Sequence, residues 1–160
     1  MLAYIQRAFW ALCLIAFFGC SAPYERKWEC QTIDSNRKWN HTGRILLAPD
    51  NDYSHLELEI VKDAKKTRFY VNLLFLQACP NKEDPDFTTA TIQMDGEEPY
   101  KAHFLLLKGG QKMIIPEDLA SVLIDALLRG QDFSITIGRS SITASSATFL
   151  TAYEKLCENY

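Results

Sequence analysis

Cysteine and histidine have the widest chemical range of any side chains at neutral pH, and this chain carries five of the first and three of the second. A thiolate can take up an acyl chain, exchange a disulfide or bind a soft metal, and an imidazole can carry a proton or a metal ion. Spacing decides among these. His41, His55 and His103 have no histidine or cysteine two or four residues away, the separation that puts two ligands on one strand or helix face, so they read as loop and strand residues. Ser134, Ser140, Ser141, Ser145 and Ser146 have no base beside them in sequence and suit turns and a helix N-cap better than nucleophilic attack. Glu83, Asp84 and Asp86 crowd one loop without the spacing and closing glutamate of a calcium loop. The "LKGGQK" stretch lacks the Lys-Ser/Thr pair of a phosphate loop and reads as a turn. With no HExxH, GxSxG or dinucleotide fingerprint, the sequence assigns no catalytic residue, no metal site and no bound cofactor.

The cysteines say more. An uncharged apolar run from Ala8 to Phe18 follows Arg7 and ends in the small residues Gly19, Cys20, Ser21 and Ala22. Eleven residues fall short of the roughly 20 that span a bilayer, so the run reads as a secretory signal rather than a membrane helix. The Gly19-Cys20 junction resembles the signal of bacterial lipoproteins, with Phe17 and Phe18 standing where that pattern prefers Leu and a small residue. The resemblance implies cleavage before Cys20, diacylglycerol on its sulfur and palmitate on the new amine. The expected organisation is a signal peptide over 1–19, a lipidated tether over 20–27 and one β-rich domain over 28–160. Asn40 in "NHT" would be a glycosylation acceptor only in a eukaryotic secretory route.

With the signal removed and Cys20 lipidated, Cys30, Cys79 and Cys157 remain, an odd number in an oxidising compartment. One disulfide and one thiol are expected, with Cys79–Cys157 the favoured bridge and Cys30–Cys79 the alternative. Closing so long a loop would stabilise by about 4 kcal/mol on the chain-entropy account.

The elements that position these residues are mostly strands. "RILLA", "SHLELEIV" and "TRFYVNLLFL" alternate or are rich in β-formers, and the last predicts a long central strand. Leu56, Leu58 and Ile60 alternate with Glu57 and Glu59, which predicts one apolar and one wet face. "VKDAKKTR" reads as a solvated hairpin tip. "TTATIQMD", "YKAHFLLL", "KMII", "DFSITIG" and "SSITA" predict further strands, with Asp95-Gly96 a hairpin turn and Gly109-Gly110 a reversal. Pro116-Glu117-Asp118 opens a helix with Leu119, Val122, Leu123, Ala126 and Leu127 on one face and Gly130 at its end. A last helix follows Ser145 or Ser146, with Phe149, Tyr153, Leu156 and Cys157 on one side. The fold class is α+β, mainly antiparallel and sandwich-like, with two packed helices.

The layout from Thr89 to Leu156, best seen in "LLRG" followed by "DFSITIG", resembles the β-sandwich domains of the invasion-associated locus B and type VI secretion accessory families of Gram-negative envelopes. That likeness implies a fold and a compartment and carries no site residue. The net charge of −3 provides no basic stripe for phosphate backbones, which argues against a nucleic-acid partner. The expectation is an envelope lipoprotein on the outer rather than the inner membrane, binding a protein partner or serving a structural role. The alternatives are an anchored or secreted envelope hydrolase and a periplasmic inhibitor or assembly factor inserting the Pro80–Phe87 loop.

Overall fold

The computed structural model describes residues 27–33, 42–49 and 55–158. Cys20, the signal, the tether up to Arg26, Asn40 and His41 lie outside them. Among the described residues nine strands run in chain order as β1 (Trp28–Ile33), β2 (Thr42–Leu47), β3 (Leu56–Lys62), β4 (Thr67–Leu73), β5 (Phe87–Met94), β6 (Tyr100–Leu106), β7 (Lys112–Ile114), β8 (Phe133–Ile137) and β9 (Ser140–Ala144). Helix α1 (Glu117–Leu128) separates β7 from β8, and α2 (Phe149–Glu158) follows β9. The strands form one sheet in the order β1-β2-β3-β4-β7-β6-β5-β8-β9, every pair antiparallel. The expected class, mainly antiparallel β with two packed helices, is the one observed.

Alternation explains the sheet. Ile45 and Leu47, Leu56, Leu58 and Ile60, Phe69, Val71 and Leu73 all point inward and are buried. Ala90 and Ile92, Phe104, Phe133, Ile135 and Ile142 line the same core from the other half. A sheet of nine strands twists enough for one end to fold over the other, and here β3 and β9 approach each other across the core. The fold-over is fastened by a residue that the sequence reading left without a role. Trp28 is 5% exposed, its indole Nε1 donates to the Ser145 carbonyl at 2.9 Å, and its backbone N–H donates to Thr148 Oγ1 at 3.0 Å. Its ring meets Phe149 edge-on at 5.1 Å, and Phe149 stacks on Tyr153 at 5.3 Å. Helix α2 is thereby held against β1 and β2.

Three local expectations change in detail. Helix α1 begins at Glu117, with Pro116 one position earlier at the N-cap in an extended conformation. Its buried stripe is Ala120, Leu123, Ile124, Ala126 and Leu127, while Val122 is 51% exposed. The helix is covered along a line one position round from the expected one. Gly130 does end it, at φ +83°, where its N–H bonds Leu127 O and that of Gln131 bonds Ala126 O, a pairing that needs a left-handed residue. In α2 the buried side is Phe149, Ala152 and Leu156, and Cys157 is exposed. Strand β4 stops at Leu73, so Leu74, Phe75 and Leu76 leave the sheet although their composition continues it.

The role of Trp28 sets the first prediction. Trp28→Ala should cost about 3–5 kcal/mol in denaturant unfolding, the range for losing a buried aromatic. Trp28→Phe should cost about 1 kcal/mol, because the ring contact with Phe149 survives and the Ser145 hydrogen bond does not.

Candidate functional site

Among the described residues, the histidines fall apart from one another. His55 precedes β3, edge-on to Phe75 at 5.5 Å, with a buried Nδ1 that has no hydrogen-bond partner. His103 points outward from β6 and is exposed. No group of three or more His, Cys, Asp or Glu is placed to hold a metal ion among the described residues. The serines take up structural tasks. Ser146 N–H and Oγ both donate to Asp132 Oδ1, at 2.8 and 2.7 Å, and Ser141 Oγ accepts from Thr136 at 3.1 Å. The "VKDAKKTR" segment is a hairpin tip, as expected: Asp63 Oδ1 accepts from the N–H groups of Lys65 and Lys66, both at 2.8 Å.

Cys30, Cys79 and Cys157 are free thiols in this structure. Cys79 lies beyond the Leu73 end of β4, and its carbonyl accepts from Thr88 Oγ1. Cys157 sits on α2 with Lys62 Nζ 3.1 Å from its sulfur, at the opposite end of the β3–β4 pair. The two favoured bridging partners are not brought together. Half-buried Cys30 lies on β1 against the core.

Two polar arrangements do come together. The first is centred on Glu59, which the alternation placed on a wet face but which is only 4% exposed. Lys112 Nζ donates to Oε2 at 2.6 Å and Asn72 Nδ2 to the same oxygen at 3.2 Å, while Arg44 donates to Oε1 at 3.4 Å. Arg44 reaches on to Gln31 Oε1 at 2.7 and 3.0 Å, Asn72 to Glu57 Oε1 at 2.8 Å, and the Lys112 ammonium lies 4.2 Å from the Tyr70 ring centroid. Five strands, β1, β2, β3, β4 and β7, are tied through one carboxylate. Burial pushes the Glu59 pKa up, and the hydrogen bonds from Lys112, Asn72 and Arg44 outweigh it, leaving the group below its ordinary value of 4.5. Both oxygens are engaged, so the group fastens strands and does not serve as a base. The sequence signal was absent because its partners lie 13 to 53 residues away.

The second is a cavity of about 520 Å³ over the outer face of β5 and β6, lined by Asn81, Lys82, Asp84, Phe87, Thr89 and His103 among others. The loop that roofs it is fixed: Asn81 N–H bonds Phe87 O at 2.8 Å, Phe87 N–H bonds Asp84 O at 3.1 Å, and Leu106 N–H bonds Asp86 O at 2.7 Å. Thr89 Oγ1 donates to Asn81 Oδ1 at 2.7 Å, which aims the Asn81 amide at His103 Nδ1, 2.9 Å away. In that arrangement Nδ1 accepts, and the proton of the neutral imidazole sits on Nε2. An amide, unlike the carboxylate of a catalytic dyad, gives an imidazolium no support. The cavity offers an imidazole N–H, a lysine, two carboxylates and one aromatic face, a set that suits recognition of a polar group.

No family model matches the chain, and no curated protein or solved structure matches it either.

Two measurements check these arrangements. Glu59→Gln should lower stability at neutral pH by about 1–3 kcal/mol, the worth of hydrogen bonds between charged groups. A carboxyl whose folded pKa is depressed stabilises fully above its unfolded pKa and loses that contribution as pH falls through the folded one. The gap between wild type and Glu59→Gln should therefore hold at neutral pH and close on acidification below about 4.5, as unfolding curves against pH would show. Thiol titration of the unreduced, denatured protein should label Cys30, Cys79 and Cys157 alike. A Cys79–Cys157 bridge would leave Cys30 alone reactive.

Proposed function

We propose that the chain is a bacterial envelope lipoprotein whose folded part is a binding or structural module without catalytic activity. The observation that carries this reading is the apolar run closing on Gly19-Cys20, with the first strand opening at Trp28 only eight residues later. Removal of the signal would free Cys20 for diacylglycerol and palmitate. Each buried methylene contributes about 0.8 kcal/mol, so two or three acyl chains hold a protein at a bilayer almost permanently. The tether spans at most about 28 Å when extended, so the domain stays against its membrane, the outer in preference to the inner. The layout of Thr89–Leu156 supports the same compartment.

A protein partner in the envelope would be met at the cavity formed by Asn81, Thr89 and His103. Its roof is pinned to β5 and β6 by backbone hydrogen bonds, which favours a preformed recognition surface over a loop that inserts into a partner. The exposed imidazole is the feature that favours the alternative, an envelope hydrolase.

Labelled palmitate should enter the wild-type protein. Cys20→Ala should abolish labelling and leave the precursor uncut, with its apolar run Ala8–Phe18 still attached. Unlabelled wild type, or normal processing and membrane association of Cys20→Ala, would refute the lipoprotein reading. For the module, mild crosslinking in the envelope should capture a partner that His103→Ala or Asn81→Ala loses. Turnover of an envelope polymer with no partner captured would replace binding by hydrolysis.

A further inference from the structure

Three consecutive large apolar side chains in a surface loop need a reason. The backbone holds the segment at both ends: Leu74 N–H bonds His55 O at 2.9 Å, and Ala78 N–H bonds Gly110 O at 2.8 Å. Between these fixed points the chain turns outward, and Leu74, Phe75 and Leu76 are 39%, 75% and 52% exposed. The ring of His55 supports Phe75 edge-on. Three apolar side chains at an exposed tip, rather than scattered singly, mark a contact site.

The strand registers say which way the tip lies. Trp28 opens β1 opposite Leu47, the last residue of β2, and Leu56 opens β3 opposite Leu73, the last residue of β4. Leu47 in turn pairs with Leu58 near the start of β3. The start of β1 and the end of β4 therefore share one end of the four-strand meander. Lys27, where the preceding chain joins the domain, and Leu74–Leu76 leave from that end, three strand spacings or about 14 Å apart. An extended tether from Cys20 is longer than that separation. Beside the tip, a cleft of about 600 Å³ is lined by Leu76 together with Lys82 and Arg139, which places cations next to an apolar point. Lys82 also lines the neighbouring cavity, together with Glu83 and Asp84, whereas Arg139 lines this cleft without them. Apolar residues flanked by cations match the layering of a bilayer surface, acyl chains beneath anionic phosphates.

We propose that Leu74-Phe75-Leu76 is a second membrane contact, seated among the lipid headgroups with Lys82 and Arg139 at the phosphate level. The inference rests on the anchored reading, because three side chains alone bind a bilayer weakly and the acyl anchor supplies the local concentration that makes the contact persist. The tip then fixes how the domain faces the membrane, a choice that the tether alone leaves open.

The test places a reporter at the tip of the mature, acylated protein in phosphatidylethanolamine–phosphatidylglycerol vesicles. Phe75→Trp minus wild type isolates the new indole. Its emission should be blue-shifted and should fall several-fold when the acyl chains carry bromine. Adding Leu74→Ser and Leu76→Ser to Phe75→Trp should remove the quenching while leaving palmitate labelling and the thermal midpoint unchanged. Water-like, unquenched emission from protein that does carry palmitate overturns the tip contact and leaves the anchor standing. Absent palmitate with quenching by added vesicles refutes the anchor alone. A blue shift that grows with protein concentration and ignores bromine means that a second copy covers the tip, and this too overturns the proposal.

Discussion

The bond between the Trp28 indole and the Ser145 carbonyl joins the first strand to the segment beyond the last. Most of what the molecule is follows from it. A nine-stranded sheet with one apolar face must cover that face, and two short helices are too few to do so alone. Folding β1 and β2 over toward α2 buries Ile45, Leu47 and Phe149 in one core with Phe104 and Ile135. Thr148 and Phe149 share the task, one accepting from the Trp28 backbone and the other meeting its ring.

The outer face is organised by charge. On the β1–β4 half, a single shielded carboxylate collects donors from Lys112, Asn72 and Arg44. Pairing between the two halves of the sheet is short, running from Tyr70 and Asn72 to Ile114 and Lys112. The Glu59–Lys112 ion pair sits at that seam and adds a side-chain link where three residue pairs join the strands. On the other half, the outer face carries the Asn81 and His103 cavity over β5 and β6. One sheet thus carries a charge-fastened surface on one half and a cavity on the other.

Local patterns made much of the fold legible. Alternation in Leu56–Ile60, the Asp95-Gly96 turn and the Gly130 stop each act over a few residues, and each appears where the sequence placed it. What depended on distant pairing was not legible. Glu59 looked like half of a wet face because its cations lie on other strands. Trp28 stood at the start of the expected domain without a role because its partners lie 117 and 120 residues away. Leu74–Leu76 read as strand on composition, yet the hydrogen bonds from Leu74 to His55 and from Ala78 to Gly110 turn the backbone out. Of the candidate site, His103 read as a strand residue, but its pairing with Asn81 needed the Pro80–Asp86 loop to fold back on β5. The cysteines showed the limit of counting: parity suggests a bridge, whereas geometry puts Cys79 and Cys157 at opposite ends of a hairpin.

The Trp28 closure also orders events in time. Contacts between residues so far apart form late, because the intervening loop must first surrender its entropy. A chain emerging from its N-terminus presents β1 long before Ser145 and Thr148 exist to receive it. Strands β2 to β4 are then exposed as a meander with an uncovered apolar face, and that interval is the most hazardous for aggregation. A chain held unfolded until its last residues have emerged would pass over this interval, and the final turn of sequence, not the first, would be the latch that completes the domain.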